Sequence, residues 1–171
     1  MAPLRIFDIP FIGLADGDHS YDYTLNGAFF EEFGNEELKE SSFKVDVVLS
    51  KKPTFMELTM HFSGSCTVPC DRCDAPLEIL MDGDSFLVVR FGEGPDQDEE
   101  LMYIPNNATQ VNIAQSLFET IAIMLPARRK HKKKDCDPKA IEALEQLSRS
   151  SEEESDPRWD ALKILKTKED K

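Results

Sequence analysis

Residues 43–62 read FKVDVVLSKKPTFMELTMHF, and their pattern decides the fold. Phe43, Val45, Val47 and Leu49 fall on one side of a two-residue period. After SKKPT, Met56, Leu58, Met60 and Phe62 repeat it. Two such runs across a proline-containing turn specify an antiparallel hairpin with one buried face. Outward from it, SFLVVRF (85–91) reads as a third, more buried strand, and residues 19–25 and LMYIP (101–105) as weaker ones. GEGPDQDEE (92–100) is an acidic loop without core-forming residues.

The C-terminal third changes period. Asn112 can cap a helix whose Gln115 stands where a capping-box partner belongs. Ile113, Leu117, Phe118, Ile121, Met124 and Leu125 then form one apolar face, and Pro126 ends it. A second helix is predicted from Asp137 or Pro138 to about Leu147, with Ile141, Leu144 and Leu147 in line. SRSSEEES (148–155) is a polar linker. DPRWDALKIL (156–165) supplies a cap at Asp156, Pro157 at the first helical position, and Trp159, Leu162 and Leu165 along one face. The expectation is an α+β fold: an antiparallel β-sheet packed by a C-terminal amphipathic helix. Residues 1–147 form the domain, and 148–171 a flexible acidic linker with a short terminal helix that docks on the body or on a partner.

The 171 residues are 40% hydrophobic and 31% charged, the balance of a soluble globular protein. No apolar run approaches the ~20 residues of a membrane span, so no membrane partner is expected. MAPLRIFDIPFIGL lacks the basic head and small-residue cleavage site of a signal peptide, which predicts a cytoplasmic protein with reduced thiols. The net charge of −13 argues against a general nucleic-acid binder. That average hides RRKHKKK (128–134), six cations and His131 in seven residues. Without those six, 14 cations face 33 acids, leaving −19.

Three of the four cysteines lie in SCTVPCDRCDAP (65–76). Cys70 and Cys73 form a C-x-x-C in a turn-like segment, a spacing at which two thiolates share one zinc ion. Cys66 is excluded, because four extended residues put it roughly 13 Å from Cys70. It reads as a small, half-buried strand residue. His131 and Cys136, an H-x4-C pair, are the candidates to complete a metal site, although no sequence feature shows the two pairs meeting. The bland alternative is a turn that happens to hold two thiols. A thioredoxin-like reading needs a helix after the pair, and APLEILM reads as strand. Zinc is the only candidate cofactor.

No catalytic constellation emerges. His61 reads as a solvated strand residue near Glu57 and Thr59, and His19 as a loop or strand end among acids. There is no G-x-S-x-G and no phosphate-cradling glycine loop, and no small-molecule substrate is implied. A charge run after a helix is often only a solvated end, where cations are favoured. Six cations in seven residues exceed that need, and without interleaved aromatics they suit phosphates rather than bases.

The order of motifs, GSCTVPCDRCDAPLEI, then LMYIP, NIAQSLFETIAIMLPARRKH, CDPKAIEALEQL and DPRWDALKIL, resembles the YceD-type family of large ribosomal RNA subunit accumulation proteins in its Bacteroidetes-like form. The resemblance runs over nearly the whole chain, strongest at PCDRC with Leu77, LPARRKH and DPRW. It implies a bacterial cytoplasmic protein, not an enzyme, that supports accumulation or processing of large-subunit ribosomal RNA. Some relatives carry a cysteine-rich ribbon after the LP helix; this chain keeps only Cys136 there. The favoured reading is a ribosome-biogenesis factor whose Arg128, Arg129, Lys130, Lys132, Lys133 and Lys134 touch rRNA phosphates in the rRNA or its precursor particles. The alternative is an acidic protein-interaction or chaperone-like module that binds a basic ribosomal protein without contacting RNA.

Overall fold

A computed structural model of the chain describes residues 3–94 and 100–151. The chain divides into two compact units, Met1–Pro69 with Pro76–Arg129, and Cys70–Ala75 with Lys130–Lys171. The linker residues 152–155 and the terminal helix expected over 156–165 lie outside the described residues.

The first unit is built on a five-stranded sheet of order β2-β3-β4-β5-β6, with β2 at Gly17–Asn26, β3 at Glu40–Lys51, β4 at Phe55–Pro69, β5 at Pro76–Phe91 and β6 at Leu101–Ile104. The hairpin expected over 43–62 is the β3/β4 pair, in register from Lys51↔Met56 to Glu40↔Thr67. All eight of its period-two residues are buried, none more than 1% exposed. One-face burial is what drives this alternation in an antiparallel sheet. The strand expected over 85–91 is the second half of the much longer β5.

The sheet is not wholly antiparallel, contrary to expectation. β6 runs parallel to the end of β5, pairing Val88↔Leu101 to Phe91↔Ile104. The nine residues between Phe91 and Leu101 are too many for a hairpin turn and enough to return the chain ~10 Å to the level of Val88.

The helix expected over 112–125 is α2, at Ala114–Met124, with α1 at Gly27–Glu32 preceding it in the chain. Ala114, Leu117 and Ile121 enter the same apolar core as the sheet residues. The Thr120 hydroxyl meets that of Ser85 on β5 at 3.2 Å. The capping box is absent: Asn112 Oδ1 accepts from the Ala114 N–H at 3.0 Å, but Gln115 instead donates to Glu119 at 2.8 Å. Asn112 Nδ2 is also drawn away from a simple cap, donating to Leu4 O and Asp8 Oδ1.

Two features went unpredicted. β1 (Asp8–Pro10) and β7 (Gln110–Asn112) form a separate two-stranded pair. The short α1 inserts Phe29 and Phe30 into the core, and Phe33 beyond it stacks on Phe118 of α2 with centroids 4.5 Å apart.

In the second unit, α3 occupies Pro138–Ser151. The start matches the expected Asp137 or Pro138: Pro138 sits at the first helical position, and Asp137 Oδ1 accepts from the Lys139 N–H at 3.0 Å, a cap the sequence reading did not assign. The helix continues to Ser151, so the first four residues of the expected polar linker are helical. Serine and arginine are neutral enough in helix propensity for α3 to carry through them. Among the described residues no helix is long and apolar enough to cross a membrane.

Candidate metal centre

The second unit takes its first segment, Cys70–Ala75, from the turn between β4 and β5. Two main-chain bonds hold this turn: the Cys70 N–H donates to Ala75 O and the Asp74 N–H to Cys70 O, both at 2.9 Å. Asp74 adopts φ 58°, a left-handed conformation that Asp tolerates better than most residues. The N–H groups of Arg72 and Cys73 are thereby aimed at the Cys70 sulfur.

The other segment brings the His131 N–H to 3.5 Å from Cys70 Sγ and the His131 ring Nδ1 to 3.5 Å from Cys73 Sγ. A single 3-10 turn, Lys133–Asp135, closed by the Asp135 N–H on Lys132 O at 2.8 Å, then delivers buried Cys136 just ahead of α3. One ligating atom from each of Cys70, Cys73, His131 and Cys136 lies within 4.8 Å of the others. The two pairs that the sequence left unconnected meet.

Their electrostatics suit a cation. Burial pushes the Cys70 thiol up, but the N–H groups of His131, Arg72 and Cys73 and the Cys73 side chain outweigh it and bring it down to about 6. Cys73 is lowered by the N–H groups of Asp137 and Ala75, and further by the His131 ring. Cys136 is raised, first by burial and then by the neighbouring Cys73 and Cys70 sulfurs. Three sulfurs converge, so negative charge on two of them disfavours it on the third until a cation arrives. The Arg72 guanidinium, 3.6 Å from Cys136 Sγ, offsets part of that charge.

The donor set fits zinc. With Zn–S near 2.3 Å and Zn–N near 2.0 Å, a tetrahedron has S···N edges of about 3.5 Å and S···S edges of about 3.8 Å. The Cys73–His131 separation already matches, and the 4.8 Å outer limit requires only a small contraction. Soft sulfur and imidazole donors do not suit magnesium or calcium, which take oxygen ligands. Cys66 is not part of this cluster: it is buried in β4 of the first unit with its thiol 4.0 Å from the Met81 sulfur. Arg72 was not singled out from the sequence, and the C-D-R-C context alone does not show that its side chain reaches Cys136.

The basic run is divided by the same boundary. Arg128 and Arg129 close the first unit, where the half-buried Arg129 guanidinium pairs with Glu37. Lys130, Lys132, Lys133 and Lys134 belong to the second, and all four are exposed. Lys133 also lies 3.3 Å from Glu145 of α3. Arg72, Lys130 and Lys133 share a shallow groove of about 560 Å³ with Ile141 and Leu144 of α3. The two histidines read as bland are so placed: His19 Nε2 lies 2.9 Å from Ala15 O, and His61 Nδ1 2.9 Å from Asp84 Oδ1.

Residues 58–166, more than half of the chain, match the family model described as large ribosomal RNA subunit accumulation protein YceD. No curated protein and no solved structure matches the chain.

Proposed function

The chain belongs to the YceD family of large ribosomal RNA subunit accumulation proteins, and on that premise we propose that it is a non-enzymatic ribosome-biogenesis factor of the bacterial cytoplasm. It supports accumulation or processing of large-subunit rRNA, with Arg128, Arg129, Lys130, Lys132, Lys133 and Lys134 against RNA phosphates. The observation that carries this reading is the position of His131. It lies in the middle of the basic run and within the four-residue cluster. A loose tail of cations would lose conformational entropy on meeting RNA, whereas lysines flanking a clipped residue are already held in place.

Cys70, Cys73, His131 and Cys136 would hold zinc, which supplies there a structural cross-link and no chemistry of its own. The main-chain N–H groups on Cys70 and the Arg72 guanidinium on Cys136 orient and neutralise the donors. Arg129 would exchange its Glu37 partner for phosphate, so its contribution is smaller than that of the exposed lysines.

The test is charge reversal of all six cations to glutamate, read by sedimentation of ribosomal particles. Loss of the protein from large-subunit precursor fractions is the expected result. Unchanged association would overturn the RNA contact and favour an acidic surface engaging a basic ribosomal protein, the reading suggested by the −19 carried outside the run.

A further inference from the structure

Among the described residues, no strand pairs with the outer edge of β5 along most of its length. β6 covers residues 88–91 only, so residues 76–87 have β4 on one side and, among the described residues, no strand on the other. The Val88 N–H donates to Glu100 O at 2.8 Å, which fixes the side to which its main-chain groups point. The β4/β5 register is unbroken from Phe55↔Arg90 to Pro69↔Pro76. By the two-residue period, Leu80, Asp82, Asp84 and Phe86 therefore turn their N–H and C=O groups to the same open side. Such a row of main-chain donors and acceptors is a template for another strand.

Beside this edge runs a groove of about 860 Å³ in the first unit. Phe86 and Leu87 of β5 and Ile123 and Met124 of α2 give it an apolar lining, and Ile123 is 76% exposed. The Met124 side chain lies over Gly83, its sulfur and methyl occupying the space a Cβ there would take. The charged groups of the groove are all acidic, Asp84, Glu100 and Glu119.

We propose that this edge and groove take up an extended, lysine- or arginine-bearing segment of a partner protein, which adds to β5 as a strand in line with β6. Its main chain pairs with Leu80, Asp82, Asp84 and Phe86. Alternate side chains then rest on the apolar lining and meet the carboxylates. RNA is the wrong occupant, because the three carboxylates repel phosphate. A second copy is disfavoured for the same reason, since β5-to-β5 pairing would bring Asp82 and Asp84 near their own counterparts. The site uses none of the six cations of the basic run, so it stands or falls separately from the RNA contact.

The experiment is amide exchange by NMR on the full-length protein, with an eight-residue peptide alternating lysine and valine as the probe. The amides of Leu80, Asp82, Asp84 and Phe86 should exchange freely alone and slow at least tenfold with the peptide. The same peptide with glutamate for lysine should leave them unchanged. Ile123→Lys, at an exposed position, and Glu119→Lys should each weaken peptide binding about tenfold while preserving the spectrum of the fold. Three results would overturn the proposal: protection without peptide at low protein concentration, protection that rises with protein concentration alone, or an equal response to the glutamate peptide.

Discussion

His61 shows how a residue with no evident chemistry still leaves a measurable signature. Its Nδ1 lies 2.9 Å from Asp84 Oδ1 and its Nε2 3.8 Å from Asp82 Oδ2, across the paired strands β4 and β5. The bond to Asp84 raises its pKa above the ordinary histidine value; burial opposes it, and the charges of Asp84, Asp82 and Asp46 add to the rise. A group whose pKa is higher folded than unfolded stabilises fully below the unfolded value, ~6.5, and that contribution is lost as pH rises through the folded value. Ring-proton NMR should find His61 titrating above the ordinary value and Asp84→Asn moving it down; titration below it in the native protein would contradict the bond. Gly64 is set by a different constraint. A Cβ there would strike the Ser42 carbonyl and the Phe43 ring on β3, both parts of a neighbouring strand that cannot yield. Gly64→Ala should therefore cost about 1–3 kcal/mol in denaturant unfolding, unlike an alanine placed on the exposed face.

Between elements, the core depends on how α2 closes over the sheet. Leu117 is 1% exposed and Ile121 fully buried, packed in one cluster with Phe43, Leu58 and Phe62. Truncating either to alanine should cost about 2–5 kcal/mol, read by chemical denaturation. This face was legible in the sequence because burial on one side imposes a period of 3.6 on the helix, just as it imposes a period of two on β3 and β4. The shortest elements offer no such period. α1 is only six residues long, and the three-residue β1 and β7 are too short to repeat anything. The parallel direction of β6 is a matter of which way the chain re-enters the sheet, and no pattern within LMYI records that. The candidate metal site was half legible for the same kind of reason. Local spacing exposes Cys70 with Cys73 and His131 with Cys136, but their meeting is a tertiary event, and the guanidinium of Arg72 on Cys136 is another. If the cluster holds zinc, purified protein should carry one equivalent, and Cys73→Ser should abolish it. Chelation should expose the amides of the second unit to exchange while those of β3 and β4 stay protected.

At the scale of the whole chain, the sign of charge is sorted along the sequence. Six cations fall within residues 128–134, and the rest of the molecule carries −19. The two charge systems make opposite demands of salt. Each phosphate neutralised on single-stranded RNA releases counterions worth about −0.7 in the slope of log affinity against log salt, so six contacts give about −4. The Glu37 partner of Arg129 and the Glu145 partner of Lys133 must be displaced for those two to contribute. A slope nearer −3 is thus the expected value for the native protein on an unstructured RNA, measured by fluorescence anisotropy between 50 and 300 mM salt, concentrations at which screening is still changing. Lys130→Glu, Lys132→Glu and Lys134→Glu together should bring the slope close to −1. Glu37→Gln, by removing the carboxylate that pairs with the Arg129 guanidinium, should move it the other way by up to about 0.7. The acidic remainder sharpens the result, because residues carrying −19 repel RNA wherever the basic segment is not in contact. Non-specific binding elsewhere on the chain should therefore not mask the slope, and a slope unchanged by the three substitutions would mean that the basic run is not what RNA meets.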